Sequence, residues 1–186
     1  MALLAIEHGR VAYWADFAAY GAGAGALAAA LALLAPRGQG ASLAALAVAG
    51  AVAWTLVEYA VHRFVLHGLQ PFRSWHTRHH DRPQALIAAP TLLSAALITA
   101  LVFVPALLAV GGWRAMALSL GLTTGYLAYG LTHHATHHWR ARGAWLKRRK
   151  RWHALHHHVD GSGGYGVCSS FWDHVFGTVP GRRRPR

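Results

Sequence analysis

Hydrophobic residues along the chain collect into four long runs, at about 11–35, 41–66, 85–110 and 113–131. Each approaches or exceeds the roughly 20 residues that a helix needs to cross a bilayer core. The pattern predicts an all-α integral membrane protein with four transmembrane helices. The first run, which carries Asp16, is rich in Ala and Gly (GAGAGALAAALALLA), and small residues let helices approach closely in lipid. Two connections, 36–40 and 111–112, are short turns. Two further stretches, 67–84 and 132–180, are polar and histidine-rich. They read as a helical cap on a single membrane-embedded domain spanning 1–186.

The C-terminal part divides further. KRRKRWHALHHH (147–158) reads as a helix and VDGSGGYG (159–166) as a loop, from its glycines. VCSSFWDHVFGT (167–178) is compact and aromatic, and RRRPR (182–186) is a frayed basic tail near lipid headgroups.

Charge orients the spans. Only 13% of the 186 residues are charged, with 18 Lys+Arg against 6 Asp+Glu. If all four runs cross, Arg37 and Arg114 alone fall on the side of the short turns, leaving 16 of the 18 opposite. The positive-inside rule then puts the histidines and both termini in the cytoplasm. The lone cysteine, Cys168, allows no disulfide within the chain. The opening MALLAIEHGRVAYW lacks the pattern of a cleaved signal peptide.

The candidate chemistry lies in the histidines. Fourteen of the 15 follow position 60, and most fall in clusters: His62 and His67; His76, His79 and His80; His133, His134, His137 and His138; His153, His156, His157 and His158. Residues three and four apart share a helix face, so each H-x2-HH set presents one imidazole face. His62 and His67 are five apart, about 140° around an α-helix, and converge only if the helix unwinds near Leu66. Imidazole is the commonest metal ligand, and eleven histidines from four elements suit two metals. Glu58 lies one turn before His62. It can accept the second ring N–H of a ligating histidine, or pair with Arg63 or Arg73. His8 reads as an interfacial residue, and His174 also lies outside the clusters.

These residues resemble the fatty acid hydroxylase/sterol desaturase superfamily of membrane proteins. EYAVHRFVLH is similar to its first box, HTRHH to its second and YGLTHHATHH to its third. HALHHH with YGVCSSFWDHVFGT resembles the last box and C-terminal segment of the fatty acid 2-hydroxylase branch. The resemblance implies metal ligands at His62, His67, His76, His79, His80, His133, His137, His138, His153, His156 and His157. His134 and His158 stand where relatives often carry Tyr. With Glu58 and Asp173 they are candidates to support the ligands, and Asp173 can equally cap a turn. Tyr165, Phe171 and Trp172 are candidates to shape the substrate cavity. Trp75, Trp139, Trp152 and Trp172 read first as interfacial anchors.

The resemblance further implies two iron ions (zinc as isolated), O2 as co-substrate, and a lipid acyl C–H bond as target, with 2-hydroxylation favoured. A sterol, hopanoid or carotenoid hydroxylase or desaturase is the alternative within the same chemistry. With about 57 residues before the first box, a fused cytochrome b5 domain is not expected. Electrons then come from a separate cytochrome b5, ferredoxin or reductase. Nucleic-acid binding and a metal-sequestering tract both fail to account for the ordered boxes. A metal transporter would place its ligands near the bilayer midplane, whereas these fall at or beyond the span ends.

Overall fold

The computed structural model describes residues 6–160 and 163–181; the basic tail 182–186 falls outside them. Among the described residues the regular structure is helical, with no strand beyond a single antiparallel bridge between Glu7 and Ile87. Helix α1 spans Arg10–Leu34 and α2 spans Gly40–Ala60, continued by a π turn at Val61–Leu66. Then come α3 (Phe72–Asp81), α4 (Thr91–Ile98), a second π turn (Thr99–Phe103) and α5 (Val104–Val110). The chain continues with α6 (Gly112–His138), α7 (Ala144–Leu155), a third π turn (His156–Asp160) and the short α8 (Phe171–Val175).

Three helical stretches are long and apolar enough to cross a bilayer: Arg10–Leu34, Gly40–Leu66 and Thr91–Val110. Helix α6 is as long, at 27 residues. It ends in a threonine- and histidine-rich turn and does not join those three. Val48, Val52, Leu92, Leu101 and Leu108 are each at least 60% exposed. Water would penalise such a display, and a hydrocarbon surround does not.

The third apolar run starts its helix at Thr91, not at Ala85. Pro90 disfavours the α conformation in the residue before it and itself caps the helix with φ −57° and ψ 131°. Residues 85–89 pair with the N-terminal segment instead, through His8 N–H to the Leu86 carbonyl and Ala88 N–H to the Ile6 carbonyl, both at 2.9 Å. Farther on, Pro105 has no N–H to give and its ring crowds the carbonyl four residues back. The π turn at Thr99–Phe103 widens the helix just ahead of it.

The chain forms two compact units, one of residues up to 54 with 86–127, the other of 55–85 with 128 onward. In the first, α2 meets α6 backbone to backbone. A Cβ on Gly50 would strike the Leu118 carbonyl, and one on Gly121 would strike the Ala47 carbonyl. By contrast, Gly21, Gly23 and Gly25 of α1 have nothing within 4 Å of a built Cβ. The close approach expected of the Ala/Gly run is therefore made elsewhere. Helix α1 is held through aromatic and polar contacts: Tyr20 Oη lies 2.7 Å from Ser94 Oγ, and its ring packs edge-on against Tyr126 at 4.8 Å. The second unit carries every clustered histidine.

Candidate metal centre

The π turn after α2 solves the spacing of His62 and His67. The His67 N–H bonds the His62 carbonyl at 3.2 Å, an i→i+5 bond. Residues five apart therefore stand one above the other, and the two rings come within 5.2 Å. His133 and His138 have the same spacing on α6, which stays a regular α-helix through His138. There a five-residue step turns away. His137, four residues on, faces with His133 (4.8 Å), while His138 stacks on His134 at 4.4 Å.

Ten imidazoles assemble into two groups of five: His62, His67, His76, His80 and His156; and His79, His133, His137, His153 and His157. Within each group one ligand atom per residue lies within 4.8 Å of all the others. His138, expected among the ligands, joins neither group. The H-x2-HH sets do not present single faces either. Helix α3 gives His76 and His80 to the first group and His79 to the second. Helix α7 and its π turn give His153 and His157 to the second and His156 to the first. Adjacent residues on a helix point about 100° apart, so each His-His pair divides between the centres. His80 and His157, one from each group, stack at 4.0 Å.

The nitrogens fit a cation better than they fit one another. His62 Nδ1 donates to the Tyr165 carbonyl at 2.6 Å, which leaves a lone pair on its Nε2. His76 Nε2 lies 3.0 Å from both His62 Nε2 and His80 Nε2. One nitrogen carries either a proton or a lone pair, so at most one of these contacts is a full hydrogen bond. His153 Nε2 is likewise 2.8 Å from His137 Nε2 and 3.1 Å from His157 Nε2. Separations near 3 Å match an edge of a coordination shell with bonds of ~2.1 Å. Burial, helped by neighbouring imidazoles, pushes the pKa of His79 and His80 down to about 3. His67 falls to about 4 through burial and the charges of His156 and Arg73, and His137 to about 4 through burial, His138 and Lys150. These rings are neutral at pH 7, as metal ligands must be.

The segment 163–168 supports the first group. Tyr165 N–H and Gly166 N–H bond the two oxygens of Asp173, each at 2.9 Å. Glu58 Oε1 accepts from Val167 N–H at 2.5 Å and Cys168 N–H at 2.9 Å. Gly164 N–H reaches the Thr178 carbonyl at 2.8 Å. Gly164 has φ +78°, and a Cβ on Gly166 would strike the Ser169 carbonyl, so the close turn needs both glycines. From this segment the carbonyls of Tyr165 and Gly163 hold Nδ1 of His62 and His156, at 2.6 and 2.8 Å. Glu58 thus bonds the backbone in place of the expected histidine or arginine partners, and Arg63 donates to Tyr59 Oη at 2.7 Å. Asp173, fully buried, bonds the backbone of the segment.

A family model, fatty acid hydroxylase, matches residues 47–178. The chain belongs to the fatty acid hydroxylase family. It is 37% identical over 148 residues to a dihydroceramide fatty acyl 2-hydroxylase of Arabidopsis thaliana, covering 71% of this chain and 59% of the relative. It is 35% identical over 151 residues to the ceramide very long chain fatty acid hydroxylase scs7 of Schizosaccharomyces pombe, covering 70% of this chain and 41% of the relative. The chain thus spans about two-fifths to three-fifths of these relatives' lengths. Its fold is similar to the solved structure of full-length scs7p in which only the hydroxylase domain is visible. The TM-score is 0.75 at 24% identity, covering 94% of this chain and 70% of that one.

Other expected residues of this family member lie around the centre. Tyr165 is buried, with its ring 5.5–5.7 Å from those of His62, His67 and His156. Trp172 is half-buried and donates Nε1–H to Thr55 Oγ1 at 3.0 Å, while Phe171 is 59% exposed. His134 is buried and His158 is exposed beside the second group. Three supports went unread in the sequence. Tyr59 is buried and bonds Thr178 Oγ1 at 3.0 Å. Thr178 in turn donates to Asp173 at 2.8 Å. Arg149 is only 2% exposed and directs its guanidinium to the Val167 carbonyl and Ser170 Oγ. It sits within the basic run KRRKR (147–151), with nothing local to mark it as the inward one.

Proposed function

We propose that this protein is a membrane-bound oxygenase that hydroxylates carbon 2 of a lipid acyl chain at two metal ions, iron in the working enzyme, using O2, two electrons and two protons, with the second oxygen atom leaving as water. The observation that carries the reading is the pair of five-imidazole groups in a chain of the fatty acid hydroxylase family. The names of its relatives, acting on ceramide and dihydroceramide acyl chains, point to the substrate class. His62, His67, His76, His80 and His156 would hold one ion, and His79, His133, His137, His153 and His157 the other. Turning a C–H bond into C–OH is a two-electron oxidation that acid–base side chains cannot perform, and the metal pair, when bound, would supply the redox chemistry they lack.

The protein's own residues orient that centre. The carbonyls of Tyr165 and Gly163 keep the Nδ1 protons of His62 and His156 in place and so direct both Nε2 lone pairs inward. The Tyr165 ring covers three imidazoles of the first group. Four helices cross the membrane in this reading, α6 being the fourth, with the histidines on the cytoplasmic side, a placement the Lys/Arg asymmetry favours. A separate carrier such as cytochrome b5, ferredoxin or a reductase delivers the electrons. The exposed Lys147, Arg148 and Arg151 suit an acidic partner.

The test is expression in an aerobic host with added iron, with 2-hydroxy fatty acids read by mass spectrometry against a His79→Ala control. Hydroxylated chains from the wild type alone, with about two metals per chain, are expected. Folded protein with no stoichiometric metal would refute the oxygenase.

A further inference from the structure

The two imidazole groups differ in what stands behind them. In the first, His62 and His156 each donate Nδ1–H to a backbone carbonyl. Those carbonyls belong to a segment whose five successive N–H groups, 164 to 168, are taken up by the Thr178 carbonyl, Asp173 and Glu58. Two buried carboxylates therefore fix a strut, and the strut fixes two rings. In the second group the Nδ1 atoms of His79, His153 and His157 are buried, yet no described protein group bonds them. His137, His153 and His157 also line an open cleft of about 420 Å³ with Lys150, Arg151 and His158. The first group meets a smaller cleft, about 280 Å³, through His67, His76 and His80, away from the two carbonyl-held rings.

A bond to the outer ring nitrogen sets the tautomer, orients the ring and strengthens the ligand, and its loss typically lowers metal affinity about 10–100-fold. We propose that the two groups are unequal metal sites. The strut-backed group (His62, His67, His76, His80, His156) holds its ion tightly, and the cleft-side group (His79, His133, His137, His153, His157) exchanges its ion. The inference rests on the two-metal reading above and adds an order to it.

The experiment loads the full chain in detergent with Zn²⁺ and follows release to excess colorimetric chelator. Two phases of one ion each are expected, separated by at least about tenfold in rate. His156→Ala removes the slow phase and His153→Ala the fast one; the phase that remains shows that each variant is folded. Asp173→Asn speeds the slow phase about tenfold and leaves the fast one unchanged. A single phase releasing two ions overturns the inequality and leaves the two-metal reading standing. Loss of the slow phase in His153→Ala, or of both phases in both histidine variants, overturns the assignment. Protein that takes up no zinc overturns the inference together with the reading beneath it.

Discussion

Replacing Glu58 separates the work of its charge from that of its hydrogen bonds. The carboxylate is 3% exposed, and its Oε1 accepts the N–H groups of Val167 and Cys168. Glu58→Ala removes both bonds and strands two amides in the interior, at about 1–3 kcal/mol each. About 3–5 kcal/mol of stability should be lost in total. Glu58→Gln keeps a carbonyl oxygen at the same place, so both bonds persist but lose their charge assistance. A bond to a charged group contributes about 1.5–3 kcal/mol and a neutral one about 0.5–1.5. The expected loss is about 2 kcal/mol, eased because a buried charge no longer needs shielding from water. Denaturant titration of metal-free protein in micelles, followed by tryptophan fluorescence, measures both. The reasoning fails if Glu58→Ala costs under about 1 kcal/mol. It also fails if glutamine is as damaging as alanine, since the charge and not the backbone bonds would then hold the segment.

Three further outcomes follow from the same structure. His79 has its pKa depressed to about 3 by burial and neighbouring imidazoles, so below about pH 6.5 the unfolded chain binds a proton that the folded one does not. Metal-free stability should be intact above that pH and fall toward pH 3 by up to about 1.4 kcal/mol per unit for this ring alone; a flat profile in acid titration would contradict it. Gly121→Ala drives a Cβ into the Ala47 carbonyl and should cost about 1–3 kcal/mol, whereas Gly23→Ala, with open space around it, should cost nothing by thermal unfolding. His138→Ala should keep both ions by metal analysis while His137→Ala loses one, because only His137 faces a group.

Much of this was legible in the chain. Runs of apolar residues placed α1, α2 and α6 to within a residue or so at their starts, and the histidine spacing announced the centre. The rest has local causes. H-x4-H diverges on an α-helix and needs a departure near Leu66 to converge, which the i→i+5 bond at His62–His67 supplies. A π turn has no side-chain signature comparable to a cap or a proline. The H-x2-HH sets looked like one face because periodicity describes a single helix, whereas here each helix lies between two centres. Segment 163–168 acts through its peptide groups, which the sequence does not distinguish. Its glycines marked a loop, but not that the loop grips His62 and His156. The start at Thr91 was available from Pro90 and was masked by the apolar residues before it.

The divided histidine pairs also bear on how the protein comes into being. Chain synthesised as far as Asp81 holds four members of the first group, and the fifth, His156, arrives 75 residues later. The second group waits for His153 near the end of α7 and for His157 in the π turn that follows it. Neither five-imidazole group is therefore complete until α3 and the end of α7 come together. A nascent chain that ends before His153 therefore offers only partial sets of imidazoles for both groups.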